Sequence, residues 1–115
     1  MEILTAWLTV FCLSVAAAAA QPAAPADDAS KGRHLAVMVC ATCHIVPDHA
    51  QKPLLDPPAP SLLAIAQRKD IDAESLADFL TTTHRSLANP KGMPNPDLAL
   101  YQVKQVVAYL LSLRN

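Results

Sequence analysis

The chain has 115 residues, a formal net charge of -1, and 52% apolar residues with only 4% aromatic. That length supports one domain. Nine Lys+Arg against ten Asp+Glu exclude the basic footprint of a nucleic-acid binder or a polybasic membrane patch. With so few aromatic rings, a small core is short of filling unless something else occupies it.

In chain order, an apolar run from Ile3 through Trp7 and Phe11 ends in the alanines Ala16–Ala20. It reads as a secretory signal over 1–20 cleaved after Ala20, although Glu2 stands in a leading region without Lys or Arg. An uncleaved anchor is the alternative, because the run just reaches the length of a short membrane span. Cys12, between Phe11 and Leu13, is an ordinary apolar leader residue. Residues 21–26 (Gln-Pro-Ala-Ala-Pro-Ala) form a Pro/Ala tether, and the domain is expected over 27–115. A first helix capped by Asp28 or Ser30 places Leu35, Met38 and Val39 on one stripe. Five prolines between Pro47 and Pro60 then exclude helix and predict an extended loop. Ser61 caps the short apolar segment Leu62–Ala66. Asp72 caps the next helix, with Ile71 and Leu76 as a hydrophobic staple and Leu76, Phe79, Leu80 and Thr83 along one face. Ser86–Pro94 is a second loop. Asn95-Pro96-Asp97 opens the last helix, whose stripe runs Leu100, Val103, Val106, Val107, Leu110, Leu111 and Arg114. No strand-like alternation occurs, so the fold class is all-α.

Chemistry concentrates in Cys40-Ala41-Thr42-Cys43-His44. Two thiols three residues apart on a helical turn face the same way, so each can add to one vinyl group of a single haem while His44 is brought under the iron. A zinc site would need a second pair of ligands, and only the scattered His34, His49 and His84 remain. A thioredoxin-like motif needs a βαβ context. A disulfide across so small a loop stabilises little. One haem c, covalent through Cys40 and Cys43, is the best account. A second axial ligand must come from elsewhere in the chain. Met38 lies on the same helix as Cys40. Met93 lies 49 residues beyond His44 in Asn89-Pro90-Lys91-Gly92-Met93-Pro94, a loop stiffened by prolines in which Gly92 permits close backbone approach. Met93 is therefore the expected sixth ligand, with His84, at the end of the preceding helix, as runner-up. His84 also suits a helix C-terminus by the dipole alone.

These motifs together resemble the small bacterial monohaem class I cytochromes c, over roughly Asp27 to Arg114. The segment Ala59-Pro60-Ser61-Leu62-Leu63-Ala64-Ile65-Ala66-Gln67-Arg68 is similar to that family's Gly-Pro-x-Leu-x-Gly-x-x-Gly-Arg stretch, with Ala59, Ala64 and Gln67 in place of glycines and Ala36 where an aromatic is common. The resemblance implies three to five helices wrapped around one haem. It implies that the Pro60 carbonyl accepts a hydrogen bond from the proximal His44, that Leu62 packs on the haem, and that Arg68 lies near a propionate. It also implies that Gly32, eight residues before Cys40, sits where the first and last helices cross, opposite Tyr109 and Leu110.

The implied activity is single-electron transfer in the periplasm by a carrier, not an enzyme, with a redox protein as donor and another as acceptor in brief docking. Membrane contact is expected only if the N-terminal segment is retained. The alternatives are a haem c subunit of a periplasmic oxidoreductase, or a gas-binding or peroxide-reactive haem protein if Met93 is not a stable ligand. Lys52, Arg85 and Lys91 are solvated loop charges, and Asp70, Asp72, Glu74 and Asp78 an acidic group complementing a helix N-terminus.

Overall fold

A computed structural model describes residues 25–114, so the leader and residues 21–24 of the tether lie outside the described residues. The helices are α1 (Pro25–Leu35), which continues into a π-turn (Ala36–Cys40), α2 (Leu62–Ala66), α3 (Ala73–Thr81) and α4 (Leu100–Ser112). Among the described residues there is no strand, only an isolated parallel bridge between His44 and Ala59. The all-α architecture agrees with the absence of period-two patterning.

α1 starts earlier than Asp28 or Ser30. Pro25 and Ala26, given to the tether on composition, form its first turn. Proline is tolerated there because the first N–H groups have no intrahelical partner. Asp27 and Asp28 add acidic charge to that turn, and Lys31 Nζ reaches Asp27 at 2.7 Å. The face buried is not Leu35–Met38–Val39 but Gly32 and Ala36, one turn apart. Met38 and Val39 are exposed. The reason is α4, which crosses at Gly32 so closely that a Cβ there would lie 1.9 Å from the Gln105 carbonyl oxygen and 2.8 Å from Tyr109 Cβ. Only a residue without a side chain permits that approach.

The two middle helices begin where expected. Ser61 Oγ accepts from Ala64 N–H at 3.1 Å. Asp72 Oδ1 accepts from Ser75 N–H at 2.8 Å while Ser75 Oγ takes the Asp72 N–H at 2.9 Å, a reciprocal capping box. Leu76 and Leu80 are buried, while Phe79 is exposed and Thr83 lies past the helix end. The last helix does not open at Asn95. Asn95 Oδ1 instead accepts from Asp97 N–H at 2.9 Å, and Asp97 has a φ of 53°, a left-handed conformation that Asp tolerates. The chain turns there, so α4 starts at Leu100, where Ala99 N–H is held by Gln102 Oε1 at 2.9 Å. Its predicted stripe is buried at Val103, Val106, Val107 and Leu110.

The core joins Ala36, Val46, Leu62, Leu76, Leu80, Val103, Val106, Val107, Tyr109 and Leu110, with Met93 and Cys40 packed at its margin. Arg114 fastens α4 from its far end. Its Nε donates to the Ala66 carbonyl at 2.6 Å, and an Nη atom donates to the Ile71 carbonyl.

Candidate haem site

The segment after the π-turn is tied down by backbone bonds. Ala41 N–H closes the π-turn on the Ala36 carbonyl at 3.1 Å, and His44 N–H donates to the Cys40 carbonyl at 2.8 Å. The proline-rich loop then folds back over it. The Thr42, Cys43 and Ile45 carbonyls accept from Leu54, Ala59 and Leu62 at 2.9, 2.8 and 3.0 Å. Prolines have no N–H, so these bonds fall on Leu54 and Ala59 between them and on Leu62 just beyond. The result lays Pro60 against His44, with His44 Nδ1 2.6 Å from the Pro60 carbonyl oxygen. A carbonyl only accepts, so the proton sits on Nδ1, and Nε2 is the nitrogen with a lone pair for a metal.

Cys40 and Cys43 are both free thiols. Burial, and next the nearby Cys43, push the Cys40 thiol up to about 11. Among the described residues there is no cluster of three or more His, Cys, Asp or Glu side chains that could hold a metal ion. A half-buried thiol pair, followed by a histidine whose Nδ1 faces a carbonyl oxygen, fits a haem that Cys40 and Cys43 would hold by thioether bonds and His44 would ligate.

Met93 is half-buried and packs on the core margin. Its carbonyl accepts from His84 N–H at 3.0 Å. The His84 ring is engaged elsewhere: it stacks on Phe79 at a centroid distance of 3.8 Å, with Nε2 3.3 Å from the Phe79 carbonyl oxygen. Leu62 is buried two residues past Pro60. Arg68 is exposed and clasps the Asp70 carboxylate through Nε at 3.1 Å and Nη2 at 2.6 Å. That pairing, first through the hydrogen bond and then through charge, holds the Asp70 carboxyl below the ordinary carboxylate range. Asp72 is likewise held low, chiefly by its capping bonds. Of the four acidic residues, Asp70 is thus built into an ion pair and Asp72 into a cap.

Two features had no signal in the sequence. Tyr109 is buried with a hydroxyl that has no hydrogen-bond partner among the described residues, and burial pushes its pKa up. Arg85, taken as a solvated loop charge, donates through Nε to the Gly92 carbonyl at 3.1 Å. The first depends on packing between elements distant along the chain and the second on how the 85–92 loop closes, and no local pattern encodes either.

Comparison with known proteins gives two matches. Residues 29–114 match the family described as Cytochrome c. A protein from Bradyrhizobium diazoefficiens named cytochrome c-552 is 37% identical over 103 residues, covering 90% of this chain and 91% of that protein. No solved structure matches.

Proposed function

From the premise that this chain belongs to the cytochrome c family, as its match over residues 29–114 shows, we propose that it is a periplasmic single-electron carrier whose haem c is ligated by His44 and Met93. When bound, the haem supplies a one-electron ferrous–ferric couple. Cys40 and Cys43, spaced as in the family's Cys-x-x-Cys-His motif, are the residues that hold it covalently. The observation carrying the ligation is the 2.6 Å contact of His44 Nδ1 with the Pro60 carbonyl. That bond orients the imidazole and leaves Nε2 as the ligating nitrogen, as partners behind a ligating histidine do.

Met93 offers a neutral thioether from a loop bonded to the end of α3. Methionine as the second ligand favours the reduced state and raises the potential relative to two imidazoles. With His44 and Met93 both holding the iron, no coordination site would be left for a substrate, which supports a relay rather than a catalyst. The relative named cytochrome c-552 supports a carrier. Leu62, buried beside Pro60, contributes apolar packing to the site. Arg68 engages Asp70 through Nε and Nη2, which leaves its Nη1 donors for a propionate.

The apolar leader ending in alanines supports export to the periplasm, and no helix among the described residues is long and apolar enough to cross a membrane. A redox protein on each side, donor and acceptor, is the partner class, engaging through a small and short-lived contact. Spectroelectrochemical titration of the haem-loaded protein tests the reading. A single one-electron step, with no ferrous carbon monoxide complex at neutral pH and no peroxide turnover, is expected. Ready carbon monoxide binding would make it a gas-binding or peroxide-reactive protein instead.

A further inference from the structure

The chain from the end of α3 to Met93 closes on itself. Ser86 and Asn89 exchange backbone hydrogen bonds, each at 3.1 Å, and Gly92 N–H donates to the Asn89 carbonyl at 3.1 Å. Three further bonds run from the start of this loop toward its end. Asn89 Nδ2 donates to the His84 carbonyl at 3.0 Å. Arg85 Nε donates to the Gly92 carbonyl at 3.1 Å. His84 N–H donates to the Met93 carbonyl at 3.0 Å. On the other side of Met93, Asn95 Nδ2 donates to the Thr81 carbonyl at 3.3 Å.

Gly92 is needed for closure by space, not by backbone dihedral. A Cβ there would lie 1.8 Å from the His84 carbonyl oxygen and 2.7 Å from Asn89 Nδ2. His84 therefore serves the loop through its backbone, while its ring stacks on Phe79.

We propose that Arg85 and Asn89 are positioning residues for the Met93 thioether, closing the 84–93 loop so that Met93 stays in place when an external ligand competes for its coordination position. This rests on the reading of Met93 as sixth ligand. A competitor binds only when Met93 has let go, so its apparent affinity falls with the fraction of protein in that open state. Each clasp bond favours the closed loop, and a net hydrogen bond of this kind corresponds to about a fivefold change in that equilibrium.

The test is imidazole titration of the ferric haem-loaded protein, comparing wild type with Arg85→Ala, Asn89→Ala, Asn89→Asp and Asp72→Ala. Asn89→Asp keeps the size of the side chain, removes the N–H donor and sets a carboxylate against the His84 carbonyl. Asp72→Ala weakens the cap of α3 and leaves the clasp intact. Imidazole should bind about fivefold more tightly to Arg85→Ala and to both Asn89 variants, and as in wild type to Asp72→Ala. Affinities within twofold of wild type in the clasp variants would overturn the proposal, as would an equal gain in Asp72→Ala or wild-type behaviour of Asn89→Asp. If wild type itself lacks the sulfur-to-iron charge-transfer band before imidazole is added, the Met93 reading fails and the clasp fails with it. If the band is present and the affinities do not move, the clasp alone fails.

Discussion

Gly32→Ala is the sharpest perturbation of the fold. The added Cβ would lie 1.9 Å from the Gln105 carbonyl oxygen and 2.5 Å from its carbonyl carbon. Both atoms are backbone, so no rotamer change relieves the clash. Restoring an ordinary contact of 3.4–4 Å moves the α1 and α4 axes apart by roughly 1.5–2 Å, and a gap of that size forfeits much of the dispersion contact at the crossing. Overpacking a tight contact costs about 1–3 kcal/mol and sometimes more. Here the cost belongs at or above the top of that range, offset by about 1 kcal/mol of helix propensity gained on replacing glycine. The net loss is about 2–4 kcal/mol, which for a domain of this size lowers Tm by roughly 10–25 °C. Thermal unfolding of the haem-loaded protein, followed by far-ultraviolet circular dichroism and Soret absorbance, measures it. Ser30→Ala, exposed on the same helix, should change stability by no more than about 0.5 kcal/mol. A Gly32→Ala protein melting within about 3 °C of wild type would refute the crossing geometry.

Arg114→Met removes the charged donor that ties the end of α4 to the Ala66 and Ile71 carbonyls. It should lower stability by about 1.5–3 kcal/mol in denaturant titration. The Asp72 carboxyl is held below its ordinary 3.8, so ionisation of Asp72 stabilises the fold above that pH, and the contribution is lost as pH falls through the lowered folded value. The stability difference between wild type and Asp72→Ala should therefore be constant from neutrality down to about pH 4 and shrink below it, as read from denaturant midpoints across pH.

What the sequence makes legible here is local chemistry. Ser61 and Asp72 cap their helices because a side-chain oxygen one position before a helix meets free N–H groups wherever the rest of the chain lies. The proline run excludes helix for an equally local reason. The haem motif is legible because its whole mechanism fits within five residues, and Gly32 through the resemblance to a family. Asn95 shows the limit. Its side chain suits an N-cap and an Asx turn equally, and the left-handed Asp97 decides for the turn. The exposure of Met38 follows from which face α4 covers, a tertiary choice that helical periodicity does not contain, and the π-turn at Ala36–Cys40 carries no signal in the local sequence. The Arg85–Gly92 and Asn89–His84 bonds join side chains to backbone carbonyls across a loop, and no spacing rule marks them.

The far-red absorption of the ferric, haem-loaded protein tests the central claim most directly. The His44–Met93 account predicts a low-spin spectrum with the sulfur-to-iron charge-transfer band. That band should be lost in Met93→Ala with the haem still attached through denaturing electrophoresis, and kept in His84→Ala. A wild-type spectrum without the band, or its equivalent low-spin character lost in His84→Ala and kept in Met93→Ala, would contradict it.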